Sequence, residues 1–403
     1  MAKIVFSWEM GGGYGHVGPF RPVAERLLAN GHHLALVVKD LKRTADLFSD
    51  LDIDLFQAPI KLGPAIPYNP TPATFSHLLA NMGYQEAREL RALIGAWRNL
   101  FQAIKPNLFL FDHSPTAMLA ARGMSGPKLT VGTGFCCPVD EFPLPSMAPW
   151  RAMEADQRER DERAMVELIN SVLESFQQPQ IQRIGQIYAE MDANLLTTFS
   201  ELDHYPHRVG NSVYLGPWSG SVLKANDADH NLPVDMPEGK KTKIFAYLKP
   251  SRAVPELLRW ISGQGFSALV VGDGIDKNKL EPILSDNVRI HTSALPIETV
   301  RRWCDVAILN ASHGTTCDLL MAGKPLLQIP LAFEQEILAR RTVDMGAALD
   351  ASPEQPRQAI QQLSALIGSA SHAREAQAFA ERHHDFDPIN AFEECIRQIQ
   401  TLI

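Results

Sequence analysis

Residues 3–38 read KIVFSWEMGGGYGHVGPFRPVAERLLANGHHLALVV, and this stretch predicts one complete βαβ unit. Lys3–Ser7 and Leu34–Val38 are runs rich in apolar residues, typical of strands that are buried on both faces of a parallel sheet. Between them, Pro19 stands at a helix start and Asn30-Gly31 at a helix stop. The glycine-rich loop therefore follows the carboxyl end of the first strand, where ligands of such sheets bind.

The same alternation of strands and helices returns further along the chain. Asn107–Phe111 predicts a strand that ends at Asp112, and Ile244–Leu248 begins a second α/β series. The polar, proline-containing stretch between the two series is the best candidate for a linker. We therefore expect an α/β chain of two Rossmann-like, doubly wound parallel-sheet domains that face each other across a cleft. The expected divisions are an N-terminal domain at 1–216, a linker at 217–241, a C-terminal domain at 242–380, and a C-terminal helix at 381–403 that packs back on the N-terminal domain.

Composition and charge narrow the range of functions. The 403 residues include 38 Lys plus Arg against 46 Asp plus Glu, and the net charge of −8 argues against a nucleic-acid partner held by a basic face. The five cysteines form no C-x-x-C pair, so we expect neither a disulfide framework nor a structural zinc site, which favours the reducing cytoplasm. No apolar run approaches the ~18–20 residues that span a bilayer, which leaves at most peripheral membrane contact.

The first loop, Gly13-Tyr14-Gly15-His16-Val17-Gly18, matches the spacing of a dinucleotide-binding fingerprint, and Asp40 follows the second strand. Two features count against a dinucleotide, because the helix begins at Pro19 and His16 occupies the place that a pyrophosphate would approach. Two further interpretations remain open. The glycines serve only a tight turn in which His16 is incidental, or they expose His16 at the edge of the sheet.

The second loop follows the strand Val306–Leu309 and runs through Gly314-Thr315-Thr316 to a helix predicted at Cys317–Ala322. Backbone N–H groups and the positive end of the helix dipole would then point at the ligand site, which suits a phosphate or a diphosphate. Thr315-x-x-Asp318 has the spacing of a capping box, so Asp318 either caps this helix or binds a ligand hydroxyl group.

Together the two loops resemble the signature of nucleotide-sugar glycosyltransferases of the GT-B fold, above all the family 1 enzymes, which include antibiotic and macrolide transferases. The N-terminal half carries Gly-x-Gly-His-x-x-Pro at residues 13–19. The C-terminal half keeps the family's order in His313-Gly314-Thr315, Asp318, Gly323-Lys324-Pro325 and Pro330-x-x-x-Glu334-Gln335. The resemblance implies inverting transfer of a sugar from a UDP- or dTDP-linked donor to a hydroxyl group of a small or lipid-like acceptor. It implies neither a metal nor a further cofactor.

The resemblance also implies a role for each matched residue. His16 corresponds to the base that removes the acceptor proton, and Asp112 to the carboxylate that orients this base. Asp112 is preferred to His113 because neighbouring residues at a strand end point to opposite faces. The remaining matches are Gly314, Thr315 and Thr316 for the diphosphate loop, Asp318 for the acid that contacts the ribose, and Glu334 and Gln335 for the pair that contacts sugar hydroxyls.

The family's diphosphate-binding histidine and two glycines fall on Asn310-Ala311-Ser312. His313 either substitutes from a shifted position or is a plain loop residue, and Lys249 either adds positive charge to the diphosphate pocket or is a solvated turn residue. Two alternatives therefore stay open: an NAD(P)-dependent oxidoreductase that uses the first loop, and a nucleotide-sugar-binding protein with altered catalysis. Residues 138–190 are where we expect acceptor-binding residues to vary.

Overall fold

The chain divides into two compact units, unit 1 with residues 1–223 and 388–403, and unit 2 with residues 224–387. The computed structural model describes residues 1–62, 69–154, 156–218, 236–237, 242–293 and 295–403. The linker predicted at 217–241 lies outside the described residues, except for positions 217, 218, 236 and 237.

The described part of unit 1 contains a parallel sheet of seven strands. The strands are β1 (Lys3–Trp8), β2 (His33–Val38), β3 (Asp54–Gln57), β4 (Leu108–Asp112), β5 (Lys128–Gly132), β6 (Ala193–Leu196) and β7 (Ser212–Tyr214). Their order in the sheet is β3-β2-β1-β4-β5-β6-β7. Consecutive residues of β1 and β4 are buried, as runs rich in apolar residues predict for a sheet covered on both faces.

Helices connect the strands of unit 1. They are α1 (Phe20–Ala29), α2 (Leu41–Phe48), α3 (Phe75–Asn81), α4 (Ala87–Ile104), α5 (Pro115–Ala121), α6 (Gln157–Ser175) and α7 (Gln186–Ala189). Helix α1 starts directly after Pro19 and buries Phe20, Val23 and Leu27 on one face, which is the face that the apolar spacing predicts. The first βαβ unit therefore forms as the sequence indicates.

The described part of unit 2 contains a second parallel sheet, of six strands. The strands are β8 (Lys243–Leu248), β9 (Ser267–Gly272), β10 (Val288–His291), β11 (Val306–Leu309), β12 (Leu326–Gln328) and β13 (Ala348–Asp350), in the order β10-β9-β8-β11-β12-β13. The helices are α8 (Ala253–Gln264), α9 (Lys277–Leu280), α10 (Ile297–Trp303), α11 (His313–Met321), α12 (Phe333–Asp344), α13 (Pro356–Leu366) and α14 (Ala370–Arg382). Ile244, Leu257 and Ile308 are among the fully buried residues of its core.

The last helix, α15 (Pro388–Gln400), belongs to unit 1 although unit 2 precedes it in the chain. Glu393 accepts two hydrogen bonds of 2.7 Å from the guanidinium group of Arg26 on α1. Phe392 packs edge-on against Trp218, with 6.3 Å between ring centroids. The Trp218 indole in turn donates a hydrogen bond of 2.9 Å to the carbonyl oxygen of Pro19, so this helix supports the start of α1.

Two observations concern membranes and disulfide bonds. Among the described residues, no helix has both the length and the apolar character needed to cross a membrane. All five cysteines are buried and free, so no disulfide bond stabilises either unit.

Candidate active site

His16 and Asp112 lie together at the carboxyl edge of the unit 1 sheet. His16 belongs to the loop between β1 and α1, and Asp112 is the last residue of β4, which pairs directly with β1. The register places Trp8 opposite Asp112, so the loop that follows β1 passes over the carboxylate. The two side chains form a hydrogen bond of 2.8 Å between His16 Nδ1 and Asp112 Oδ2. Their side chains are only 10% and 7% exposed, which strengthens their electrostatic interaction.

This hydrogen bond decides which imidazole nitrogen can act as a base. An ionised carboxylate only accepts hydrogen bonds, so the proton of a neutral His16 resides on Nδ1. The lone pair is then on Nε2, and Asp112 stabilises the positive charge that the ring gains when Nε2 takes a proton. The arrangement suits general base catalysis.

The His16 ring is held between an indole and a glycine. Trp8 is fully buried and stacks on it with 5.2 Å between ring centroids. On another side, a Cβ atom at Gly11 would lie only 2.2 Å from His16 Nε2, and Gly11 has a φ of +76°. Gly132 likewise leaves room for the Asp112 carboxylate, because a Cβ atom at Gly132 would lie 2.9 Å from Oδ1. Sequence reasoning missed both glycines, although Gly11 opens the run of three that it recognised as a loop.

The two glycines named from the loop motif have a different character. Gly13 has a φ of +83°, which a residue with a Cβ atom rarely adopts. A Cβ atom at Gly13 or Gly15 would meet nothing within 4 Å. Gly13 therefore serves the turn itself, while Gly11 makes room for the imidazole.

His113 lies beside the His16–Asp112 pair. It is buried, has a φ of +43°, and its ring centroid lies 5.9 Å from that of His16. Neither of its ring nitrogens has a hydrogen-bond partner among the residues that the structure describes. Burial holds the pKa of His113 well below its usual range, and the neighbouring basic groups of His16 and Lys39 lower it further. His113 is therefore a neutral neighbour, while Asp112 makes the hydrogen bond to His16.

A cavity of about 790 Å³ lies in unit 1, lined by α3, α6 and the loops that precede them. His77, on α3, connects two sides of the cavity. Its Nδ1 accepts a hydrogen bond of 3.1 Å from the Ala73 N–H, and its Nε2 donates one of 2.8 Å to Asp161 on α6. Ser76 is among the residues that line the cavity, and its buried hydroxyl group has no hydrogen-bond partner among the described residues. Helix α6 falls within residues 138–190, where acceptor-binding variation is expected.

In unit 2, Asn310 connects the ends of three neighbouring strands. It follows β11, and its Oδ1 accepts a hydrogen bond of 2.6 Å from the N–H of Lys249, the residue after β8. Its Nδ2 donates one of 2.7 Å to the carbonyl oxygen of Ile329, the residue after β12. The side chain is 4% exposed. Asn310 therefore holds the backbone around the loop, which differs from the ligand contact that the resemblance assigns to this position.

The predicted start of α11 at Cys317 is wrong, because the helix begins at His313 with Ser312 as its N-cap. Ser312 makes no side-chain capping bond, and the capping-box spacing at Thr315-x-x-Asp318 does not mark the true start of the helix. The first backbone bond of the helix runs from the Thr316 N–H to the Ser312 carbonyl, at 2.9 Å. The N–H groups of the residues before Thr316 therefore have no acceptor within the helix and can bind an anion.

With Ser312 as the N-cap, Asp318 is the sixth residue of α11 and not the third, so the interpretation that it caps this helix is also wrong. It forms an ion pair with Arg301 on α10, with 2.7 Å between Nη2 and Oδ1. Arg301 Nε also donates a hydrogen bond of 3.0 Å to the Asp318 carbonyl oxygen. Burial raises the pKa of Asp318 to about 6, and Arg301 opposes part of this rise.

The remaining predicted residues of unit 2 show several kinds of contact. The Lys249 ammonium group lies 3.5 Å from Asp273, and both side chains are about half exposed.

The His313 ring is 3.8 to 3.9 Å from the Cys317 sulfur. Thr316 is buried, its hydroxyl group accepts a hydrogen bond of 3.4 Å from Gln328, and its N–H already donates to the Ser312 carbonyl, so its backbone N–H is not available to a ligand. The last two, Glu334 and Gln335, lie in the first turn of α12, where Gln335 Oε1 accepts a hydrogen bond of 2.8 Å from the Leu331 N–H.

Asp40, the residue on which the dinucleotide interpretation depends, is the N-cap of α2. Its side chain accepts a hydrogen bond of 3.0 Å from the Arg43 N–H and pairs with the Arg43 guanidinium group, also at 3.0 Å. A helix cap accounts for this carboxylate without any ribose.

Solved structures resemble this chain over nearly their whole length. The glycotransferase of kitacinnamycin has a TM-score of 0.69 and 17% identity, with 98% of this chain and 99% of that one covered. The glycosyltransferase SnogD from Streptomyces nogalater has a TM-score of 0.64 and 16% identity, with 98% and 99% covered. The spinosyn rhamnosyltransferase SpnG, complexed with thymidine diphosphate, has the same TM-score of 0.64 and the same 16% identity, with 98% and 100% covered. No family model and no curated protein matches the sequence.

These likenesses establish the fold. Both parallel sheets and their helices are part of a match that spans 98% of the chain at TM-scores of up to 0.69. The chain therefore has the two-domain GT-B fold, and the fold that the two loop motifs indicated is confirmed.

Proposed function

We propose that this chain is an inverting glycosyltransferase that moves a sugar from a nucleoside diphosphate sugar to a hydroxyl group of a small or lipid-like acceptor. The proposal depends above all on the hydrogen bond of 2.8 Å between His16 Nδ1 and Asp112 Oδ2 at the carboxyl edge of the unit 1 sheet. The similar structures support it, because they are named as a glycotransferase, a glycosyltransferase and a rhamnosyltransferase.

In the proposed reaction, His16 Nε2 takes the proton of the acceptor hydroxyl group while its oxygen attacks the anomeric carbon. The new C–O bond forms on the face opposite the departing nucleoside diphosphate, so the configuration of that carbon inverts. Asp112 keeps the imidazole in the required tautomer and stabilises the imidazolium ion. A positioned base of this kind contributes roughly 10²–10⁴-fold to the rate.

The donor diphosphate binds, on this proposal, at the start of α11. The N–H groups of His313, Gly314 and Thr315 and the positive end of the helix dipole stabilise the negative charge that grows on the leaving group. Lys249 adds a positive charge nearby. A UDP- or dTDP-linked donor is our choice, and the thymidine diphosphate complex of SpnG supports the second. Asp318 contacts the ribose and Glu334-Gln335 the sugar in this scheme.

The acceptor binds, on this proposal, in the cavity of unit 1. Its volume of about 790 Å³ is in the range of small-molecule sites, ~300–1,000 Å³. Its lining combines polar residues such as Asn69 and Gln85 with apolar residues such as Met165 and Leu168. This mixture suits a largely apolar molecule with a few hydroxyl groups.

The test compares His16→Ala with His33→Ala, an exposed histidine of the same unit. UDP-, dTDP- and GDP-linked sugars are screened for slow hydrolysis and for transfer to a panel of hydroxylated acceptors. We expect His16→Ala to lose at least about 100-fold in kcat with an unchanged nucleotide affinity, and His33→Ala to match the wild type.

Other outcomes separate the alternatives. Parallel loss of nucleotide affinity in His16→Ala would make His16 a ligand contact and contradict its role as a base. Thermal stabilisation by NAD alone would favour the oxidoreductase. Binding of a nucleoside diphosphate without turnover of any donor would favour the binding protein that the Asn310-Ala311-Ser312 departure motivates.

A further inference from the structure

A third side chain, Cys136, belongs to the surroundings of the catalytic pair. It ends the short 3-10 turn Gly134–Cys136 that follows β5, and it is 6% exposed. Its sulfur, a ring nitrogen of His16 and a carboxylate oxygen of Asp112 all lie within 4.8 Å of one another. We call these three side chains the His-Asp-Cys cluster.

The cluster combines the donor types that zinc prefers. Imidazole nitrogen, carboxylate oxygen and thiolate sulfur bind Zn²⁺ at about 2.0–2.3 Å, and three protein ligands leave a fourth position open. Tetrahedral coordination at those lengths separates the donor atoms by about 3.3–3.7 Å. The three donors reach this spacing if the His16–Asp112 contact opens slightly and Cys136 approaches. The Cys136 thiol coordinates as the thiolate, and its proton leaves to solvent.

We propose that the His-Asp-Cys cluster is an inhibitory site for Zn²⁺ and similar thiophilic divalent cations. The inhibition, though not the binding, rests on the proposed function. Coordination through either nitrogen of His16 removes the base. A metal on Nε2 occupies the lone pair that would take the acceptor proton. A metal on Nδ1 leaves the ring proton on Nε2, which then donates where catalysis needs an acceptor.

The adjacent cysteine provides a matched control. Cys137 is also buried, but its sulfur lies 3.8 Å from Arg208 Nη1 and 4.0 Å from Thr130 Oγ1. It is not part of the His-Asp-Cys cluster. Cys136→Ala and Cys137→Ala each remove one thiol from neighbouring positions at the end of this turn. Only the Cys136 change removes a donor from the His-Asp-Cys cluster.

The binding test uses Co²⁺ as a spectroscopic probe for zinc on the full, reduced chain. We expect one equivalent of Co²⁺ to produce a near-ultraviolet sulfur-to-metal charge-transfer band that Zn²⁺ abolishes by displacement. The band should disappear in Cys136→Ala and in the more conservative Cys136→Ser, and should persist in Cys137→Ala. A wild-type protein without the band, or a band that survives in both Cys136 variants, overturns the proposal.

The activity test measures Zn²⁺ inhibition of donor hydrolysis and its reversal by EDTA. Each protein is compared with its own zinc-free rate, and the Cys136 variants should need at least about tenfold more Zn²⁺ for half inhibition than Cys137→Ala. Equal sensitivity of all variants contradicts an inhibitory role for the cluster. A cobalt band in a protein that turns over no donor would refute the proposed function and leave the metal site standing. Donor turnover that Zn²⁺ does not inhibit would refute the inhibitory site and leave the proposed function standing.

Discussion

Gly11→Ala is the sharpest test of the way in which His16, the proposed base, is positioned. The new Cβ atom would lie 2.2 Å from His16 Nε2, whereas carbon atoms in contact stay about 3.5–4.0 Å from their neighbours. The imidazole must therefore retreat by more than about 1 Å, or the loop must shift by as much. Either movement disturbs the 2.8 Å bond between His16 and Asp112. The new methyl group would also occupy space beside His16 Nε2, the proposed base nitrogen.

Two effects of different size follow from this substitution. Alanine at a φ of +76° costs about 1–2 kcal/mol, so the protein should unfold at a slightly lower temperature. A misplacement of about 1 Å costs on the order of 100-fold in rate. We therefore expect kcat for donor hydrolysis and transfer to fall by about 100-fold, with nucleotide affinity unchanged because the loop proposed to bind the diphosphate belongs to unit 2.

Gly12→Ala is the matched control for this experiment. It adds the same methyl group one residue later, where a Cβ atom would meet nothing within 4 Å. Its kcat and its unfolding temperature should stay close to those of the wild type. A Gly11→Ala protein that keeps kcat within a few-fold of the control would refute the claim that close approach of Gly11 sets the position of His16.

Three further substitutions test other parts of the molecule. Asn310→Ala removes the partners of the buried Ile329 carbonyl and of the partly buried Lys249 N–H, so urea titration should show a loss of about 1–3 kcal/mol in the stability of unit 2; an unchanged midpoint would mean that these bonds contribute nothing. Asp318→Asn removes the carboxylate charge at nearly constant shape, and calorimetry should show about tenfold weaker binding of UDP or dTDP, whereas unchanged affinity would exclude a ribose contact. Burial raises the pKa of Glu9 from 4.5 to about 8, so its contribution to stability is complete below pH 4.5 and is lost as the pH rises through 8. Glu9→Gln should flatten this decline in pH-dependent unfolding, and equal slopes in both proteins would contradict the assignment.

The central strands could be predicted because burial leaves a strong mark on their sequence. Strands β1, β4 and β11 are rich in apolar residues, and their predicted and observed bounds agree within one residue. The outer strands carry no such mark. All four residues of β3 are at least partly exposed, and their composition, Asp-Leu-Phe-Gln, resembles that of a loop. Pairing with β2 makes this segment a strand, and that information lies outside the segment itself.

Proximity within the site was predictable only where sheet topology imposes it. His16 and Asp112 come together because β1 and β4 are parallel neighbours, and a doubly wound sheet makes such pairing common. Gly11 and Gly132 escaped prediction because a glycine's need for space depends on what lies opposite. The start of α11 was missed for a related reason, since Thr315-x-x-Asp318 imitates a capping box while Asp318 pairs with Arg301 instead.

The departure at Asn310-Ala311-Ser312 changes side chains but keeps the course of the backbone. Ala311 has a φ of +52°, the left-handed conformation that glycine adopts most easily, at a position where the resembled family has glycine. Asn310 holds this course in place through its bonds to the ends of β8 and β12. A helix start binds a diphosphate mainly through N–H groups that every residue except proline supplies. On the proposed function, the loop therefore keeps the N–H groups that would stabilise the leaving group, although the family's histidine is absent, and we expect side chains outside this loop to determine donor choice.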